Sequence, residues 1–404
     1  MADNRVRTVL LAAGHGSVDI YQGIVPVLVP FLVVHRHYDY LQVSGFVLAA
    51  SVLSSVVQPL FGLLADRSAA RGTGRWLIPA SMLTTGLGVA LVGVVHSYPA
   101  TLLVIALSGV GVAAYHPEAA RFARSVTGGG HVGMSWFSLG GNVGFALAPV
   151  VATPVLIAGG LGAAPLLALP AAVGVALTVP LLRGQHRASS RPMAHADTGN
   201  RTDDWPAFRT LSAIIVLRSV AYVGMSTFLG LFVQQRIPHG VAASGLALFV
   251  LYAGGAVGTV LGGRCAVRWG RLRTLRLAYL ASSIALAGVA FVPGPAVLLF
   301  VAAASLALYV PFSLHITLGQ DYLPTRMGTA SGVTLGLAAS VGGAFTPALG
   351  LIAQASSLQV TLGCLVPLPA VAWLLARRLR EPVTEILKPV LDYRARGEDS
   401  QVSA

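Results

Sequence analysis

His15 and Asp19 stand four residues apart in the segment Gly14-His15-Gly16-Ser17-Val18-Asp19-Ile20-Tyr21-Gln22. That spacing puts both side chains on one face of a helix. A second group of ionisable residues, Tyr115-His116-Pro117-Glu118 with Arg121 and Arg124, follows an apolar run from Leu102 to Ala114. A carboxylate beside an imidazole can take up and release a proton when its surroundings change slightly, because burial and a neighbouring charge pull its ionisation in opposite directions. The competing reading of His15 and Asp19 is a plain hydrogen bond between helices. An ionisable group near a bilayer centre costs roughly 2.5–3.5 kcal/mol, which favours a use over an accident.

Glu118 and Arg121, three residues apart, fit either a proton-carrying pair or an interfacial salt bridge at a helix end, while Pro117 removes one backbone hydrogen bond and exposes a carbonyl. Asp19 is the stronger candidate for a central proton site, with Glu118 second and His15 and His116 tuning the two carboxylates. Arg218 is the one basic residue deep inside an apolar stretch, and it needs a carboxylate (Asp19 or Glu118) or an anionic substrate. Tyr21, Gln22, Tyr115, Asn142, His315 and Gln320 are the remaining polar positions that could face a substrate.

These residues must be held by membrane helices. The chain has 404 residues, 55% hydrophobic and 10% charged, whereas soluble domains carry about 25% charged residues. Breaks in the apolar pattern give twelve segments: roughly 8–34, 42–64, 76–96, 99–124, 132–158, 163–182, 209–234, 242–264, 274–292, 296–322, 328–353 and 358–378. Each approaches the roughly 20 residues a membrane helix needs, and continuous runs rather than alternation argue against a barrel.

The net charge of +13 is distributed by loop. Of the 27 Lys and Arg residues, 24 fall at the termini, in the middle linker, or in 66–75, 121–131, 264–276 and around Arg326. The opposite loops hold Arg36 and Arg236. This is the positive-inside pattern of a multi-pass membrane protein with both termini cytoplasmic. No compact basic region exists to bind nucleic acid. Asp3 before Arg5 and Arg7, ahead of a long apolar run, does not read as a cleavable signal. Cys265 and Cys364 offer neither a disulfide framework nor a metal-ligand spacing. No cofactor, phosphate loop or nucleophile elbow is legible, so an enzyme is not expected.

The polar region Leu182–Arg209 separates two blocks of six segments. The expected domains are 1–182, a linker 183–208, a second bundle 209–380 and a tail 381–404. Gly62-Leu63-Leu64-Ala65-Asp66-Arg67 recurs as Gly263-Arg264-Cys265-Ala266-Val267-Arg268, with Gly and Arg each 201 positions apart. Pro149 and Pro347, each after a glycine-rich run, are 198 apart. Parallel duplication of a six-helix unit is a transporter layout. Gly140, Gly141 and Gly144 before Pro149 present a small-residue face for close helix packing.

The loop Gly62-x-x-x-Asp66-Arg67, with its second copy retaining Arg268 and Gly270-Arg271, resembles the signature of the major facilitator superfamily. In that resemblance Asp66 and Arg67 latch helix ends and bias a conformational equilibrium. Each copy is incomplete: the first lacks the closing Gly-Arg and the second has Val267 for the acid. His15-x-x-x-Asp19, Tyr115-His116-Pro117-Glu118-Ala119-Ala120-Arg121, Gly140-Gly141-Asn142-Val143-Gly144 and Gln320-Asp321-Tyr322-Leu323-Pro324 look like the fosmidomycin-resistance family of that superfamily. The resemblance spans nearly the whole chain. It implies an all-α membrane fold of twelve helices in two bundles, and a monomeric, proton-driven exporter of drugs such as the phosphonate fosmidomycin. A proton-coupled importer of a small anionic metabolite fits the same features, and a membrane sensor without transport fits them less well.

Overall fold

The computed structural model describes residues 2–58, 60–61, 76–126, 131–183, 202–237 and 240–382. Gly62, Asp66 and Arg67 of the first signature loop lie outside the described residues, as do most of the linker and the tail beyond Pro382. The described residues form helices and turns with no strand. In chain order the helices are α1 (Ala2–Arg36), α2 (Tyr40–Val56), α3 (Leu77–Ala90), α4 (Tyr98–Val126), α5 (His131–Gly159), α6 (Leu169–Arg183) and α7 (Trp205–Arg236). They continue as α8 (Gly240–Trp269), α9 (Arg271–Phe291), α10 (Val297–Tyr309), α11 (Phe312–Tyr322), α12 (Met327–Ala355), α13 (Leu358–Gly363) and α14 (Pro367–Ala376).

Local chemistry fixes several boundaries. Asp39 starts α2 through a reciprocal capping box with Gln42: the Gln42 N–H donates to Asp39 Oδ1 at 2.7 Å, and the Asp39 N–H donates to Gln42 Oε1 at 3.0 Å. Asp204 caps α7 by accepting from the Ala207 N–H at 2.9 Å. Two expected segments are interrupted. The tenth breaks at Val310-Pro311 into α10 and α11, and the twelfth breaks between Gly363 and Pro367 into α13 and α14. A proline removes a helical hydrogen bond and clashes with the preceding turn.

Nine runs among the described residues are long and apolar enough to cross a bilayer, and Tyr40–Ser55 and Leu77–Gly93 are shorter apolar helices. One of the nine, Trp136–Arg183, holds 48 residues. As one straight helix it would reach about 72 Å, against a hydrocarbon core of about 30 Å. The chain instead reverses at Gly160, whose φ of +59° suits glycine, and passes through the 3-10 turns Gly160–Ala168 into α6. The close approaches Ala12–Gly140 and Gly16–Gly144 make α5 run parallel to α1, while Ser17–Gly174 and Gly14–Thr178 make α6 run antiparallel.

The same pairing recurs in the second half of the chain. A methyl group at Gly342 of α12 would land on the Ser219 carbonyl of α7, and one at Gly224 would meet Leu349 at 2.6 Å. Thus α7 and α12 pack in parallel as α1 and α5 do. The two halves touch through Ser44 and Thr346 (the Thr346 hydroxyl donates to the Ser44 carbonyl at 3.0 Å), Tyr40 and Gln235 at 3.0 Å, and Phe145 against Tyr252 with ring centroids 5.7 Å apart. These contacts lie at mid-depth or toward the ends that carry Arg36 and Arg236.

Candidate functional site

Helices α1, α4 and α5 bring three side chains to one buried point. His15 Nε2 lies 3.2 Å from Asp19 Oδ2, and His116 Nε2 lies 3.2 Å from Asp19 Oδ1. The two histidine Nε2 atoms are 3.4 Å apart. His15 and Asp19 share a helix face as their spacing requires, and His116 reaches them from 97 residues further along the chain (Asp19 to His116).

The surroundings fix the tautomers. His15 Nδ1 is 2.7 Å from the Phe137 carbonyl, and His116 Nδ1 is 2.9 Å from the Val112 carbonyl. A carbonyl oxygen can only accept, so both rings carry hydrogen on Nδ1 and turn Nε2 toward Asp19. With neutral rings and an ionised carboxylate, four lone-pair atoms, the two Nε2 and both Asp19 oxygens, would face one another at contact distance. A proton, or another cation, relieves that repulsion. The Gln22 side-chain amide donates to Asp19 Oδ1 at 3.1 Å. The His15 ring stacks on Phe137 with centroids 4.2 Å apart and planes 13° off parallel, and the Tyr115 ring centroid lies 6.0 Å away. His15 and Asp19 side chains are 9% exposed and that of His116 25%, so the cluster opens on the His116 side.

Glycine makes this possible. A methyl group at Gly141 would collide with the Asp19 carboxylate and stand 2.8 Å from His15 Cε1. At Gly140 and Gly144 it would land on the backbone of Ala12 and Gly16. Pro149 and Pro347 lie within α5 and α12. Asn142 is half-buried on α5 beside this contact.

Glu118 is buried but engaged elsewhere: the Arg121 guanidinium donates to it in a fork, Nε to Oε2 at 3.0 Å and Nη2 to Oε2 at 2.7 Å. Tyr21 also has a structural task. It is fully buried, its hydroxyl donates to the Leu167 carbonyl at 2.7 Å and accepts from the Ala171 N–H at 2.9 Å, and so it ties α1 to α6 instead of facing a substrate.

Arg218 is 2% exposed. The expected pairing with Asp19 or Glu118 is not formed, and no carboxylate stands within salt-bridge distance of it among the described residues. Its Nε donates to the Leu308 carbonyl, and its Cζ lies 4.9 Å from the Tyr309 ring centroid, 5.4 Å from that of Phe312 and 5.9 Å from that of Tyr222. The break at Pro311 delivers both Tyr309 and Phe312 to the guanidinium. Sequence reasoning missed these aromatics, although aromatic residues flanking a proline were visible beside His315. Among the described residues no hydrogen-bond partner stands within bonding geometry of the buried Tyr222 hydroxyl. Tyr309 lies in the field of both Arg218 and Asp19, across the boundary between the halves. His315 is buried with Nε2 2.9 Å from the Tyr279 hydroxyl, and Gln320 donates to the Ser331 hydroxyl at 2.8 Å.

Of the second signature loop, Arg268 is exposed. Gly270 adopts φ +83° and ψ 154° at the start of α9, a conformation essentially restricted to glycine. Arg271 joins three helix ends, 2.5 Å from Asp321 at the end of α11 and 3.1 Å from Glu381 beyond α14. Asp321 is therefore an ion-pair partner at the end of α11.

Residues 11–389 match the Major Facilitator Superfamily. The Fosmidomycin resistance protein of Escherichia coli (strain K12) is 27% identical over 382 residues, covering 90% of each chain. The nucleoside transporter NupG superposes with a TM-score of 0.73 at 12% identity, over 93% of this chain and 100% of that one. A bacterial homolog of the human lysosomal transporter Spinster, inward-facing and occupied, superposes with a TM-score of 0.72 at 16% identity, over 91% and 95%. A family match across nearly the whole chain, on an all-helical membrane fold built twice on one helix pairing, leaves one conclusion: this chain belongs to the Major Facilitator Superfamily and is a multi-pass membrane transporter of small molecules, not an enzyme.

Proposed function

We propose that the chain is a proton-coupled exporter of the bacterial inner membrane, acting as a monomer with both termini cytoplasmic. It carries small drugs or small polar or anionic compounds, fosmidomycin among them. The observation that carries this reading is the His15–Asp19–His116 cluster, whose convergent lone pairs call for a proton in a place where water is scarce. The name of the Escherichia coli relative supports the substrate class. Arg218 adds to it. A buried guanidinium costs several kcal/mol to desolvate, and aromatic faces return about 0.5–2 kcal/mol each, so an anionic substrate group supplies the missing partner. The unsatisfied Tyr222 hydroxyl beside it offers a second donor.

In this mechanism the halves 1–182 and 209–380, joined by the linker 183–208, rock about the cluster and Arg218. Asp19 carries the proton, with His15 and His116 as its partners and Gln22 as its orienting donor. Glu118, neutralised by Arg121, is secondary. Arg271 latches the ends of α9 and α11 in the second half. Entry of a proton and binding of the substrate compete, so inward proton flow drives the substrate out.

Everted vesicles test this. A proton gradient, acid inside, should drive fosmidomycin accumulation, and Asp19→Asn should abolish it. Wild-type accumulation in that variant would overturn the assignment of Asp19. A gradient that instead empties preloaded vesicles would identify an importer.

A further inference from the structure

The spacing in the sequence offers no metal-ligand motif, yet the fold assembles one. His15, Asp19 and His116 each present a ligand atom, all within 4.8 Å of one another. We infer that they form a binding site for a divalent transition-metal ion of the zinc class, and that its occupancy blocks transport.

Four observations carry this. First, two donors bound at about 2.0–2.1 Å around a tetrahedral ion lie about 3.3 Å apart. The Nε2–Nε2 separation is 3.4 Å, and each Nε2 lies 3.2 Å from its own Asp19 oxygen, Oδ2 for His15 and Oδ1 for His116, so an ion seated between the two nitrogens meets the edge of the carboxylate. Second, each imidazole already donates Nδ1–H to a backbone carbonyl, the outer arrangement that orients a metal-binding histidine and points Nε2 inward. Third, the rings are held in place: His15 is stacked on Phe137, and Gln22 supports the carboxylate. Fourth, the His116 side chain is 25% exposed, leaving an approach and a fourth coordination position for water. Two imidazoles and one carboxylate select a zinc-like ion, whereas Mg2+ and Ca2+ require shells of oxygen.

All three ligands lie in the first half of the chain, so the ion does not clamp the halves together. It occupies the lone pairs that Asp19 and the histidines offer to a proton. The block of transport therefore rests on the proton-coupled reading, and the binding does not.

The test uses the full chain in detergent, purified without a histidine tag and titrated with Co2+. The expected result is a single Co2+ per chain with visible ligand-field bands of a low-coordinate nitrogen–oxygen site, displaced by Zn2+ and untouched by excess Mg2+. Asp19→Asn and His116→Gln should each weaken binding by at least about tenfold, and His35→Gln should leave the bands in place. X-ray absorption on the zinc-loaded wild-type protein should count two imidazoles, which needs no variant. A wild-type spectrum identical to aqueous Co2+, bands that persist in the His15→Gln, His116→Gln double variant, or fewer than two imidazoles around zinc would each overturn the site. The two readings fail separately: a metal site with proton-independent transport sinks only the coupling, and proton-driven transport with no Co2+ site sinks only the metal.

Discussion

Gly144→Ala tests the contact on which the site is built. The new methyl group would press on the Gly16 carbonyl and stand 2.8 Å from Gly16 Cα, whereas carbon atoms rest at about 3.5–4.0 Å. Neither neighbour is a side chain that can swing away, so α1 and α5 must part by about 0.7 Å or more. Overpacking of this kind costs about 1–3 kcal/mol, and the rigid backbone places it near the upper end. Alanine's better helix propensity returns about 1 kcal/mol, leaving a net loss of about 2 kcal/mol. At about 2–4 °C per kcal/mol for a large domain, the apparent melting temperature should fall by about 4–8 °C. The same parting stretches the His15–Phe137 bond from 2.7 Å to about 3.4 Å, beyond a good hydrogen bond. His15 then loses its orientation and proton-driven transport falls with it. The comparison is Gly162→Ala, where nothing lies within 4 Å of the added methyl group. Melting in detergent and transport in everted vesicles are the two readouts. A Gly144→Ala protein that melts and transports like the Gly162→Ala protein would refute the close approach and the role assigned to it.

Gly270→Ala should cost about 1–3 kcal/mol through backbone strain alone, since its methyl group meets open space; detergent melting against Gly263→Ala, also in open space, checks it. Arg271→Ala removes ion pairs to the partly exposed Asp321 and Glu381, so the loss should stay below about 1 kcal/mol and shrink further in high salt. Arg218→Lys should transport no better than Arg218→Ala, because an ammonium lacks the flat face that stacks on Tyr309 and Phe312 and the Nε–H given to Leu308; equal activity of Arg218→Lys and wild type would show that charge alone suffices. Glu118→Gln should retain proton-driven transport that Asp19→Asn lacks, while losing about 1 kcal/mol or less of stability from the Arg121 fork, half open to water on the arginine side.

Much of this protein was legible from residue order. Long apolar runs, clustered arginines and a loop pattern recurring 201 positions on are one-dimensional properties, so the membrane-helical class and the repeat followed from them directly. The pairing of His15 with Asp19 also followed, because an i,i+4 spacing is settled within one helix. The breaks at Pro311 and between Gly363 and Pro367 were less legible, since mean hydropathy is blind to whether an apolar run bends. What the order of residues could not decide was which distant groups meet. Arg218 turned to aromatic rings instead of a carboxylate, and the Tyr21 hydroxyl bonded at the start of α6. His116 joined Asp19 because Gly140, Gly141 and Gly144 let α5 and α1 approach closely enough for the Phe137 carbonyl to fix His15 from one side while α4 presents His116 from another. Composition determines that a chain like this must bury its few charges somewhere. The partner of each charge is decided by helix separations of a few ångströms, which only the packed fold sets.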